Sequence, residues 1–307
     1  MDARDRFRGC LLGLAVGDAL GTTVEFRPRG SFQPLTDMVG GGPFHLQPGQ
    51  WTDDTSMALC LATSLLECGG FDARDQMERY CRWAEEGYLS STGICFDIGG
   101  TVKRALNRYR HTGDPYAGST DPYSAGNGCI MRLAPIPMFF FPDLEAVERM
   151  AAESSRLTHG AQECLDACRL FGRMLCRALL GEPKERILFG DSTSFTGAPK
   201  IVATAQGAYR NKAEALIRGS GYVVESLEAA LWCFWQTSRF AEAILMAANL
   251  GDDADTTAAI CGQIAGAFYG ASNIPAHWLE RLAMREEITR LADRLWERHP
   301  TQAVEVS

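Results

Sequence analysis

The stretch TTAAICGQIAGAFYGA, residues 256–271, limits the fold more than any other. It is small and apolar on every side, and Gly262, Gly266 and Gly270 recur at four-residue spacing. A helix that is apolar all round must be covered all round, and small residues on one face let a second backbone come close. The run is too short to span a membrane and carries Gln263, so the pattern predicts a buried central helix over 255–270. That helix opens on NLGDDADTT, where Asp252, Asp253 and Asp255 crowd against Thr256.

Apolar spacing predicts further helices over 6–20, 55–67, 72–86, 97–111, 143–157, 160–181, 199–215, 222–236, 238–248 and 275–297. Gly- and Pro-rich loops are expected over 28–51 and 112–128. Almost nothing alternates with period two, so the fold class is all-α. No composition break marks a linker, and a single domain over 1–307 is expected. The net charge of −8 argues against a nucleic-acid backbone as partner. The N-terminal segment is charged, then briefly apolar around Asp18, which excludes a signal peptide or membrane span there. Eleven cysteines without a C-x-x-C pair read as buried thiols of a cytoplasmic protein.

A second acidic cluster, GQWTDDTSMAL at 49–59, repeats the plan of the first: Thr52, Asp53 and Asp54, then an apolar run. Asp and Thr are good N-caps, and each cluster taken alone could be capping. One cap needs one or two carboxylates, whereas both turns offer more. Crowded carboxylates need a proton or a cation between them. Hard divalent cations bind carboxylate and hydroxyl oxygens, the inventory seen twice here. The spacing is not that of an EF-hand. DADTT at 253–257 also matches the D-x-D-x-T of haloacid-dehalogenase-type phosphatases, but that motif should end a buried parallel strand, and here a helical pattern precedes it.

Seven segments together resemble the ADP-ribosylglycohydrolase family: GCLLGLAVGDALGTTVEF (9–26), GQWTDDTSMAL (49–59), FDIGGTVKRAL (96–106), AGNGCIMRLAPI (125–136), SRLTHG (155–160), GSGYVVESLEAALWCF (219–234) and NLGDDADTTAAICGQIAGAFYG (249–270). They stand in the family's order over nearly the whole chain, and look most like the branch of the bacterial dinitrogenase reductase-activating glycohydrolase. The resemblance implies a compact all-α fold with two divalent metal ions, Mg²⁺ or Mn²⁺. It implies Thr52, Asp53, Asp54, Asp253, Asp255 and Thr256 as ligands, with Asp252, where many members have glycine, left as a cap or supporting acid. Glu25 and Asp97 would be the catalytic acids, Asp97 having a helix N-cap as its structural alternative. Asn127, Gly128, His159, Ser220, Gly221 and Tyr222 would bind ADP-ribose, Tyr222 by stacking on adenine or ribose. Gly160, Ala161 and Gln162 follow Thr158 and His159 where that branch has THNHP.

The implied reaction is metal-dependent hydrolysis of ADP-ribose from a modified protein, with arginine as the acceptor. A serine, a nucleobase or O-acetyl-ADP-ribose stays open as the alternative substrate. A different class of function is an immunity protein that binds a cognate ADP-ribosyltransferase toxin; a pure binder would have no need of six metal ligands.

Overall fold

The computed structural model describes residues 2–299. In chain order its α-helices are α1 (Ala3–Gly21), α2 (Asp53–Cys68), α3 (Ala73–Glu86), α4 (Gly100–Thr112), α5 (Pro135–Phe139), α6 (Leu144–Arg156), α7 (Gln162–Leu180), α8 (Lys184–Phe189), α9 (Pro199–Ala205), α10 (Val223–Gln236), α11 (Phe240–Ala248), α12 (Ala254–Tyr269), α13 (Ala276–Arg281) and α14 (Arg285–Glu297). Three isolated bridges stand in place of a sheet among the described residues, and the fold is all-α. No described helix is long and apolar enough to cross a membrane.

The small-residue run does what its spacing requires. Helix α12 is buried along most of its length, and α1 lies antiparallel against it. A Cβ on Gly13 would come within 2.3 Å of the Gly262 carbonyl oxygen, and one on Gly262 within 2.0 Å of the Gly13 carbonyl oxygen. Only glycine permits this approach of the two backbones. The seam fixes the site, because it lays the C-terminal end of α1, with Asp18, beside the first turn of α12, with Asp255. Helices α2, α7, α10, α11 and α14 pack around this pair. A separate apolar cluster, including Met57, Tyr80, Trp83, Leu106 and Met131, joins α3 and α4 to the α2 side. All eleven cysteines are free thiols, and nine of them are buried.

The structure corrects several expected boundaries. The helix expected over 199–215 stops at Ala205, where the chain turns through Gly207 at φ +77°. The helix expected over 275–297 is two, α13 and α14, broken at Leu282–Met284. There the Ala283 N–H donates to Gly49 O and its carbonyl accepts from Trp51 Nε1, so the break pairs with the loop that leads into α2. Helix α4 starts at Gly100 with Gly99 as its N-cap. Asp97 is therefore not the cap of that helix. Helices α5 and α8 were not expected; each is a turn or two long, below the length at which apolar spacing is legible.

Candidate active site

The first turn of α2 is held from outside itself. Asp18 of α1 is fully buried, and its Oδ1 accepts from Thr52 N and Thr52 Oγ1, each at 2.9 Å. Its Oδ2 accepts from Thr55 N at 3.0 Å and Thr55 Oγ1 at 2.6 Å. Asp18 thus supplies the acceptor that a free helix N-terminus needs. Thr52 is the N-cap residue but makes no side-chain cap bond, and the Asp53 and Asp54 carboxylates are released from capping.

The first turn of α12 is built differently. Gly251 and Asp252 both take left-handed backbone, at φ +73° and +57°. The Asp252 N–H donates to Arg27 O at 2.8 Å, and its carbonyl accepts from Phe26 N at 2.7 Å. The turn is therefore stitched to the segment that follows Glu25. The Asp252 side chain is exposed, and α12 has no side-chain cap, so Asp252 is not the cap expected of it. Asp253 Oδ2 accepts from Asn127 Nδ2 at 2.8 Å, tying this turn to the next loop.

The two turns meet. Carboxylate oxygens of Asp18, Asp54 and Asp255 lie within 4.8 Å of one another, as do those of Glu25, Asp97 and Asp255. Thr256 Oγ1 lies 3.4 Å from Asp54 Oδ2. Thr52 Oγ1 has one proton, and Asp18 holds it. Its contacts of 3.3 Å to Asp54 Oδ2 and 3.4 Å to Asp255 Oδ2 are then between acceptors. Asp54 Oδ1 is buried with no hydrogen-bond partner at all. An orphaned carboxylate oxygen among facing acceptors fits a hard divalent cation, which takes carboxylate and hydroxyl oxygens together.

Proton affinities follow from this crowding. Burial, and then the neighbouring carboxylates, push Asp53, Asp54 and Asp255 well above the ordinary carboxyl range. Burial, then the Asp97 charge, raises Glu25 to about 8. Burial, then the Asp18 and Asp253 charges, raises Asp97 to about 6. A bound cation reverses such shifts, because it favours every ionised carboxylate around it.

Glu25, Asp53, Asp97, Asp253, Asp255 and Thr256 face one cavity of about 350 Å³, also walled by Asn127, Gly128, His159 and Gly221. The loop carrying Asn127 and Gly128 is braced from below by Arg132, fully buried, which donates to Gly128 O at 2.7 Å and Thr158 Oγ1 at 2.8 Å. Thr158 Oγ1 lies 2.9 Å from His159 Nδ1. With Arg132 donating to that oxygen, the hydroxyl proton points at Nδ1, and Nε2 carries the ring proton. Burial lowers His159 to about 4, so the ring is neutral. A Cβ on Gly128 would come within 2.8 Å of the ring, so this loop can be no bulkier.

Two expected ligand residues sit elsewhere. Ser220 Oγ donates to Glu225 Oε2 at 2.5 Å, within the turn that opens α10. The Tyr222 hydroxyl donates to Glu163 and accepts from Lys200 Nζ at 2.8 Å, on the wall of a neighbouring cavity of about 640 Å³. The two cavities share Thr101, Gly126 and Gly221. Sequence reasoning missed Asp18 and Arg132. The signal for Asp18 was present, as a lone acid inside an apolar helix, where only a satisfied carboxylate can stay.

Known proteins resemble this chain over nearly its whole length. The family model described as ADP-ribosylglycohydrolase matches residues 1–305. The ADP-ribosylarginine hydrolase Tri1 of Serratia proteamaculans is 45% identical over 98% of this chain and 81% of its own length. The ADP-ribosyl-[dinitrogen reductase] glycohydrolase of Rhodospirillum rubrum is 35% identical over 95% of each chain. A solved structure titled ADP-ribosylglycohydrolase-related protein complex superposes with a TM-score of 0.86 at 44% identity, covering 96% of this chain and 98% of its own.

Proposed function

The chain belongs to the ADP-ribosylglycohydrolase family, and from that premise we propose that it removes ADP-ribose from arginine side chains of a modified protein. The carrying observation is that the Glu25, Asp97 and Asp255 carboxyls lie within 4.8 Å of one another, in a cavity walled by small-residue loops. Two relatives that are named for arginine hydrolysis, from Serratia proteamaculans and Pseudomonas putida, favour this acceptor over serine. The unit that acts is a single domain over 1–307, working in the reducing cytoplasm that its free thiols suit.

Thr52, Asp53, Asp54, Asp253, Asp255 and Thr256 would hold two divalent ions, Mg²⁺ or Mn²⁺. When bound, these lower the pKa of water and offset negative charge in the site. Asn127, Gly128 and Gly221 line the cavity where backbone and amide donors can meet the diphosphate, and His159 Nε2–H adds a neutral donor. Tyr222 and its neighbouring cavity would take the adenosine end, with Ser220 shaping the turn before it. Glu25 and Asp97 differ in proton affinity, the arrangement that divides acid from base. Water attacks C1 of the distal ribose and the C1–N bond breaks. Asp97, the more acidic of the two, would take the water proton and return it to the departing guanidine nitrogen, while Glu25 positions that water. The products are ADP-ribose and arginine.

The test compares proteins carrying ADP-ribose on arginine and on serine. Release from arginine, abolished by EDTA and restored by Mg²⁺ or Mn²⁺, is expected. Release from serine alone, or full activity after metal stripping, overturns the reading.

A further inference from the structure

We propose that Phe26, Phe44 and Phe96 form an aromatic platform at the rim of the cavity that receives the modified arginine and selects it as acceptor. The inference rests on the arginine reading above and adds the residues that recognise the side chain itself.

Phe26 is the most unusual residue near the site. It follows Glu25, lines the cavity, and is 65% exposed. Its backbone is left-handed at φ +62°, a conformation that costs a bulky residue and that glycine would adopt freely. Two backbone hydrogen bonds with the Asp252 turn hold it there. Folding thus spends strain to keep a large apolar ring in water beside the reacting carboxyls, the pattern of a binding residue.

The ring is not isolated. Its centroid lies 6.3 Å from that of Phe44 at 76°, and Phe44 lies 5.2 Å from Phe96 at 56°. Phe96 immediately precedes Asp97. Three separate segments therefore place one continuous aromatic array between the neighbours of Glu25 and Asp97. Aromatic faces attract cations, and guanidinium, planar and weakly hydrated, stacks on them best. The charges agree: Glu25, Asp53, Asp97, Asp253 and Asp255 line the cavity, with no lysine or arginine among its described lining residues. A cationic, flat acceptor fits this rim; a serine hydroxymethyl group offers it neither charge nor area.

The test uses Phe26→Ala, Phe26→Gly, Phe26→Trp and Phe96→Ala. Substrates are arginine-linked ADP-ribosyl protein for kinetics and free ADP-ribose for calorimetry, which lacks the acceptor. The Ala and Gly variants should raise KM for the arginine-linked protein roughly tenfold. ADP-ribose affinity should not change, and Phe26→Trp should keep the wild-type KM. Phe26→Gly should also raise Tm, since it relieves the backbone, which a ring serving only structure would not allow. Unchanged KM in both Ala variants, or an equal loss of ADP-ribose affinity, overturns the platform while leaving the arginine reading intact. A wild-type protein inactive on the arginine-linked substrate overturns both.

Discussion

The two acidic turns look like copies in sequence and work differently in the fold. The turn at Thr52–Asp54 is internal: Asp18, a carboxylate from another helix, takes its hydrogen bonds, and Asp53 and Asp54 are released from capping. The turn at Asp252–Thr256 is a junction. It pairs with Phe26 and Arg27 on one side and with Asn127 on the other, so it joins the acidic cluster to the segment after Glu25 and to the Asn127 loop. On the proposed reading the first turn would serve cations, while the second would couple cation, substrate and acceptor.

The largest effect should come from the acids where the turns meet. Asp54→Asn and Asp255→Asn should each reduce turnover by about a thousandfold or more, with loss of bound Mn²⁺. The fold should survive. The metal-free variants should melt above the metal-free wild type, because each removes a buried, crowded charge. Thermal melts in EDTA beside Mn²⁺ titrations check both parts. A variant that fails to fold would instead return these acids to a structural role.

Asp18→Asn is the sharper test of the internal turn. An amide keeps the size but turns one acceptor into a donor, facing Thr52 or Thr55, which already donate. Mn²⁺ affinity should fall about ten- to a hundredfold, as for other groups that orient ligands. ADP-ribose affinity measured without metal should hold. Equal loss of both would mean that the two turns are not separable.

Much of this was legible in the sequence. The close packing of α12 was visible because glycines at four-residue spacing can serve close helix contact; that α1 is the partner, with Gly13 against Gly262, came only from the structure. The acid-and-threonine pairing of the turns was visible for the same reason, that a local pattern carried the chemistry. Asp18, Arg132 and the aromatic rim were not. Their roles depend on residues far away in the chain, Thr52 from Asp18 and Asp252 from Phe26, and no local spacing reports that. The Ser220 hydroxyl bonds to Glu225, five residues on, a partner that a serine beside glycines does not announce.

Acidity separates the regions again. His159, beside the Asn127 loop, is held neutral with its folded-state value lowered to about 4. Above about 6.5 both states are neutral and nothing changes; below it the unfolded chain takes a proton that the folded one refuses. The His159 share of stability should therefore fall as pH drops from 6.5 towards 4, by about 2 kcal/mol at pH 5. The carboxyl cluster acts on the other side. Glu25, raised to about 8, favours the metal-free fold fully below about 4.3, and that share is lost as pH rises through 8. The two oppose each other between about 4.3 and 6.5, so denaturant melts from pH 4 to 9 without metal should be nearly level there and lose stability from about 6.5 to 8, while Mg²⁺ should expose the acid limb. His159→Gln should remove the acid limb, and Mg²⁺ should remove the alkaline one. A flat profile in the metal-free protein would break the contrast.

The smallest effect belongs to Asp252, the acid in the junction turn that faces solvent. Its backbone stands at φ +57°, where aspartate is tolerated and glycine is unstrained. Asp252→Gly should leave Mn²⁺ affinity unchanged and shift stability by less than about 1 kcal/mol, the relief of strain offsetting the greater freedom of the unfolded chain. Asp252→Ala keeps the Cβ in a left-handed residue and loses the local polar support, so it should be the less stable of the two. Loss of Mn²⁺ in Asp252→Gly would place this carboxylate among the ligands after all. Loss of substrate affinity alone would mean that it steadies Phe26 through the shared backbone pairing, which would make the junction more rigidly coupled than its two hydrogen bonds imply.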